Sequence, residues 1–242
     1  DIIDEPCAAL YHIDSINNLS GKTVMIFDLG GGTLDLIAAE IKDNEINEIA
    51  IGGDTRLGGN DWDKMLQQYI RNRYLDGRTL RPDDEQDFGN DVEYAKIALT
   101  GKVESRLILR DDVVKIPLKI TRTEFEICTK PLLKKTKKTV QMFMDDLMDQ
   151  GVTEFDKIIL VGGASRMPQI SEMLQSLFPN TEIIQKDCDE AVAKGAAVYA
   201  KRIAEKSKRF SVRQSFIPKK LNRISARSYG LSVLLGDFGD KK

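Results

Sequence analysis

The chain has 242 residues, 41% hydrophobic and 31% charged, with a net charge of −2. Size scaling for such a chain buries roughly 70% of its extended surface on folding, enough for a proper core and against intrinsic disorder. No apolar run approaches the ~18 residues of a membrane span, and Asp1-Ile2-Ile3-Asp4-Glu5 lacks the basic-then-apolar layout of a signal peptide. Cys7, Cys128 and Cys188 lie far apart with no C-x-x-C pair, which points to a reducing cytosol. His12 is the only histidine, which effectively excludes a zinc site or a Ser-His-Asp triad. Residues 201–223 hold nine Lys/Arg against Glu205, a local +8 that leaves −10 elsewhere. No aromatic pattern or nucleic-acid motif accompanies that charge, so it reads as a solvated helix end running into a linker.

The chain opens with a short helix signal, Glu5 to Ile13. Strands follow at about 22–28, 34–41 and 45–51, parted by Gly-rich or Asp-Asn turns. The first turn is the densest feature: Phe27-Asp28-Leu29-Gly30-Gly31-Gly32-Thr33-Leu34-Asp35 reads as a β-hairpin with a three-glycine tip flanked by carboxylates and a hydroxyl. Such a tip lets backbone N–H groups close around a phosphate. Asp28 is placed to hold a hydrated Mg²⁺, and Thr33 to offer its hydroxyl to a terminal phosphate. The three glycines alone fit an ordinary hairpin with a flexible tip equally well.

An amphipathic helix near 60–74 follows, with Trp62, Met65, Leu66, Tyr69 and Ile70 at helical spacing. Asp76 to Asp91 is polar and reads as an excursion. A helix near 91–100 and strands at 105–110 and 113–120 complete an inserted subdomain. Thr121 and Glu124 form a capping box for the next helix, in which Pro131 predicts a break and Gly151 an end. Two units close the body: strand 157–161 with helix 168–178, then strand 182–185 with helix 189–203. Without the insertion the order is βββ-α-β-α-β-α. The fold class is therefore α/β: one ribonuclease-H-like lobe, the unit from which actin-like ATPases are built in two facing copies. No second copy is visible, so the chain reads as half of an ATPase.

Further motifs occur in order: Gly53-Asp54-Thr55-Arg56-Leu57-Gly58-Gly59-Asn60-Asp61-Trp62-Asp63, then Glu93-Tyr94-Ala95-Lys96-Ile97-Ala98-Leu99-Thr100, then Ile159-Leu160-Val161-Gly162-Gly163-Ala164-Ser165-Arg166-Met167-Pro168. A weaker echo is Asp189-Glu190-Ala191-Val192-Ala193-Lys194-Gly195-Ala196-Ala197. With the glycine hairpin and Ile3-Asp4-Glu5-Pro6-Cys7-Ala8-Ala9, these resemble the DnaK-type heat-shock chaperone family over about residues 1–200, the second lobe of its ATPase domain.

The resemblance implies ATP/ADP and Mg²⁺ as ligands. Gly30, Gly31, Gly32 and Thr33 would hold phosphates, with Asp28 reaching the metal through water. Gly162, Gly163 and Arg166 would flank the adenosine, with Arg166 stacking on the purine. Glu93, Lys96 and Thr100 share a helix face and would grip adenosine from the inserted subdomain; on spacing alone, Glu93 and Lys96 read as a solvent-exposed ion pair. Asp189 would lie near base or ribose, or is an N-cap. Glu5 would face metal and attacking water from the first lobe's side, or is a first-turn helix acid. Asp35 would tune the metal site, or cap its strand. Gly58 and Gly59 read as structural, letting a helix pack close to the sheet.

The implied organisation places helix 1–13 against a missing first lobe. The ribonuclease-H-like subdomain takes 21–75 and 123–203, the insertion 76–122, and a basic connector and linker-like tail 204–242. Implied partners are that lobe, unfolded polypeptide clients, a J-domain co-chaperone and a nucleotide-exchange factor, with no nucleic acid or membrane and a cytoplasmic location. Sugar or acetate kinases share the fold but need a carboxylate base and a sugar loop, for which no candidate is seen. A docking module for exchange factors and an actin-like filament are the non-enzymatic readings. Three positions depart from the family pattern: Ala164 replaces a small hydroxyl, Cys7 a threonine and Asn60 an acid. Leu221 to Ser232 stands where a leucine-rich linker is expected.

Overall fold

A computed structural model describes residues 2–43, 45–75, 77, 79–110, 115–207 and 220–224. The order is α1 (Glu5–Asn17), β1 (Lys22–Leu29), β2 (Leu34–Ile41), β3 (Glu45–Asp54), α2 (Gly59–Tyr74), α3 (Pro82–Gly101), β4 (Glu104–Arg110), β5 (Lys115–Thr121), α4 (Arg122–Met148), β6 (Lys157–Val161), α5 (Pro168–Leu177), β7 (Glu182–Ile184), α6 (Ala191–Ser207) and β8 (Lys220–Asn222).

Six strands form one sheet in the order β7-β6-β1-β2-β3-β8. β1–β3 are an antiparallel meander, while β6 joins β1, β7 joins β6 and β8 joins β3 in parallel. Central strand β1 is apolar on both sides, as expected of a strand covered on both faces. Met25 and Phe27 enter a core with α2–α5, while Val24 and Ile26 face α1 and Ile159 in a second core. β4 and β5 make a separate two-stranded sheet beside α3. This mixed α/β lobe bears out the expected fold class.

Three local expectations are overturned. α3 begins at Pro82, inside the presumed excursion, because a proline in the first turn followed by Asp83, Asp84 and Glu85 favours a helix start, and Phe88 and Val92 are buried beneath it. α4 runs unbroken through Pro131. The carbonyl that loses its partner belongs to Ile127, on an open face where Ile127 is 67% exposed, while Phe125, Val140, Phe143 and Leu147 anchor both halves in the core. Finally, α1 does not end at Ile13. It extends to Asn17, and Cys7, Leu10, Tyr11 and Ile13 are buried in this lobe's second core.

The α1–α6 contact depends on one residue. A Cβ at Gly195 would lie 1.6 Å from the Ala8 carbonyl oxygen, so the backbones approach closely only because the side chain is missing. Tyr11 packs on Tyr199, and His12 Nε2 lies 3.0 Å from Asp187 Oδ2, tying α1 to the loop before α6. Cys7, the threonine replacement, donates its thiol to Glu48, whose other oxygen accepts the Ile224 N–H. Burial pushes the thiol pKa strongly upward. Part of the expected tail thus contributes β8; the remainder of 204–242 lies largely outside the described residues.

Candidate functional site

Strands β1 and β2 end with Asp28 directly opposite Asp35 and Leu29 opposite Leu34. Gly30 N–H closes the turn on the Thr33 carbonyl at 3.1 Å. The first amides of α2 hold the tip from outside: Gly59 N–H donates to the Gly30 carbonyl at 2.9 Å and Asn60 N–H to that of Gly31 at 2.8 Å. The close approach expected of Gly58 and Gly59 is therefore to the hairpin tip. Fixed through its carbonyls, the tip leaves the N–H groups of Gly31, Gly32 and Thr33 without a hydrogen bond among the described residues. Inward-turned amides in such a loop make an anion cradle.

β6 delivers the second wall. Gly162 has φ +80°, and a Cβ there would lie 2.4 Å from the Leu29 carbonyl oxygen and 2.5 Å from Asp28 Oδ1, so the turn after β6 presses on the hairpin only as glycine. Ser165 clamps the two, donating to the Val161 carbonyl at 2.5 Å and accepting Leu29 N–H at 3.1 Å. Sequence reasoning missed Ser165, although a serine three residues past a strand-end glycine is a recognisable turn signal.

Asp28 is 6% exposed and has its pKa raised to about 6, first by burial, then by Asp35 and Glu5. Asp28 thus sits in the field of two further acids, Asp35 opposite it on β2 and the exposed Glu5 at the head of α1. Thr33 currently gives its hydroxyl to Asp35 at 2.8 Å.

A cavity of about 330 Å³ collects Gly30, Gly31, Glu93, Lys96, Thr100, Gly163, Arg166 and Asp189 with Asn60 and Ala164. Gly32, Thr33, Asp28, Asp35 and Gly162 stand beside it without lining it, and Glu5 reaches it only as a charge on Asp28. Glu93 is exposed and Thr100 half-buried, its hydroxyl on the Ile97 carbonyl. Lys96 is no solvent-exposed partner of Glu93. It is 8% exposed and binds Asp63 Oδ2 at 2.6 Å and the Gly59 carbonyl at 3.2 Å. Asp63, also missed, has its pKa raised by burial against the opposing pull of Lys96. Arg166 pairs with Asp189 at 2.6 Å across the mouth.

Sheet order, glycine hairpin and facing helix–turn walls define the class: a lobe of the actin-like ATPase kind. Comparison with known sequences narrows it. The family described as Hsp70 protein matches residues 1–236. The Chaperone protein DnaK of Thermus thermophilus is 36% identical over 215 residues, covering 82% of this chain and 34% of that protein. The Chaperone protein HscA of Proteus mirabilis is 34% identical over 209 residues, covering 82% and 31%. The Chaperone protein DnaK 1 of a Synechococcus species is 33% identical over 211 residues, covering 82% and 28%. The chain belongs to the Hsp70 family, and it spans about a third of the length of the curated relatives it matches.

Proposed function

We propose that this chain is the second nucleotide-gripping lobe of an Hsp70-type chaperone ATPase, binding ATP or ADP with Mg²⁺. The observation that carries this reading is the single cavity joining the glycine-hairpin end to Glu93, Lys96, Thr100, Gly163, Arg166 and Asp189. The free amides of Gly31, Gly32 and Thr33 receive β- and γ-phosphate oxygens. Thr33 turns its hydroxyl from Asp35 to the terminal phosphate, and Arg166 leaves Asp189 to stack on the purine. Lys96, held by Asp63, supplies positive charge at the cavity wall. Asp28, buried opposite Asp35 and under the charge of Glu5, is the carboxylate that would hold Mg²⁺. Mg²⁺ supplies charge neutralisation at the phosphates. Asp28 would hold the metal through water, and Glu5 would orient the attacking water.

In the whole protein, hydrolysis is coupled to binding and release of unfolded polypeptide, with a J-domain co-chaperone and an exchange factor as partners. Hydrolysis requires the facing lobe, so this chain alone turns over no ATP above background. Its three free cysteines fit the reducing cytoplasm. Among the described residues no helix is long and apolar enough to cross a membrane.

Calorimetric titration of MgADP into the chain tests the half-site. Weak binding lost in Arg166→Ala is expected. Retained binding in that variant removes Arg166 from the site, and steady ATP turnover by the chain alone overturns the need for a second lobe. Arg166 is the cleaner probe, because replacing Lys96 also strands buried Asp63.

A further inference from the structure

A second cavity of about 720 Å³ lies between the C-terminal half of α4 and the loops around α5. Met142, Met148, Phe155, Leu177, Phe178 and Pro179 supply its apolar surface, and Met142 and Met148 are 58% and 55% exposed. One open face of α4, a helix of 27 residues and so ~40 Å long, leads into it. Toward the N-terminus that face carries Lys130, Lys134, Lys137 and Lys138, four positions that share one side of a helix. None has an ion-pair partner among the described residues, although neighbouring Lys135 pairs with Asp54. Past Met142 the sign reverses: Asp145, Asp146, Asp149 and Glu154 are exposed and equally unpaired among the described residues.

We propose that this face docks an amphipathic helix from a partner protein, with an acidic end over the lysines, a large apolar anchor in the Met142–Phe178 cavity and a basic end over Asp145–Glu154. Charge complementarity of both signs around one apolar hole selects this occupant. A polyanion such as RNA or an acidic membrane would meet the lysines but be repelled by the adjoining carboxylates. Methionine walls adapt to the shape of an anchor, as in other helix-binding grooves. The surface is separate from the nucleotide cavity, and the proposal does not rest on the nucleotide reading.

The test is a displayed library of helical peptides of about 20 residues, selected on the chain and counter-selected on a Lys134→Glu, Lys138→Glu double variant. Enriched peptides should carry an acidic cluster about two turns from a Leu, Phe or Trp anchor. Their binding, read by fluorescence anisotropy, should weaken more than about tenfold in the double variant and, separately, in Met142→Asp. MgADP titration should be unchanged in both. All three positions are exposed, so unchanged unfolding midpoints should accompany the loss. No enrichment over the counter-selection overturns the proposal, as do peptides without acidic clusters. Binding of heparin or acidic vesicles that is lost on lysine reversal but ignores Met142→Asp assigns the face to a polyanion and also overturns it.

Discussion

Asp28 at the hairpin and Glu124 at the head of α4 are carboxylates in opposite circumstances. Glu124 accepts the Thr121 N–H at 2.9 Å and shares its oxygens with the Thr121 hydroxyl, Arg73 and Tyr69, which together hold its pKa down at about 2. Asp28 is buried opposite one acid and near another, and its pKa is pushed up to about 6. The first region is locally satisfied and serves stability. In the second, burial and repulsion act in the same direction with no opposing contact among the described residues, a perturbation of the kind that functional sites concentrate.

Four single substitutions, one of them with a rescuing partner, sharpen or break this contrast. The largest effect is expected within the site wall, where Lys96→Met strands the Asp63 carboxylate and should cost about 3–5 kcal/mol in urea unfolding. Adding Asp63→Leu should restore much of that loss; equal instability of the double variant would show that the pair does not act as a unit. Next comes Asp28→Asn. The native carboxyl keeps its proton up to about pH 6, whereas the unfolded chain releases it near its ordinary value of 3.8. Its contribution to stability is therefore full at low pH and lost as pH rises through 6. Without metal at pH 7.5 the asparagine variant should be about 2–3 kcal/mol more stable than the parent, with the advantage vanishing near pH 4. Mg²⁺ should stabilise the parent alone. A variant that is less stable at every pH would remove Asp28 from the unbalanced group.

A smaller effect is expected at Glu124→Ala, about 1–2 kcal/mol at pH 7 through loss of the capping box. Because the Glu124 pKa is depressed, its contribution is present above about pH 4.5 and disappears as pH falls toward 2, the reverse of Asp28. The smallest belongs to Thr33→Val, at about 0.5–1.5 kcal/mol, since its bond to Asp35 is local and partly exposed.

The parts legible in the sequence were those encoded locally. β2 falls on 34–41 as read, β1 runs one residue longer, and Thr121 and Glu124 form the expected box. Alternation, glycine turns and caps all act within a few residues. The partners of Lys96 and Arg166 were not legible, because Asp63 and Asp189 lie 33 and 23 positions away and are brought in only by packing. Helical spacing put Lys96 near Glu93 and pointed to solvent, but burial of α3 against α2 turns it inward. The same limit applies to Pro131, whose missing hydrogen bond is tolerated because tertiary contacts hold both halves of α4, and to α1, whose weak amphipathicity hides its burial.

The missing side chain at Gly195 also has a mechanical meaning. Backbones that touch cannot slide or pivot independently as side-chain-cushioned helices do, so α1 and α6 form a single rigid strut. α1 carries Glu5, whose charge bears on Asp28. α6 begins just after Asp189, which lines the cavity. A displacement at the start of α6 would therefore be passed to α1 through the touching backbones of Gly195 and Ala8.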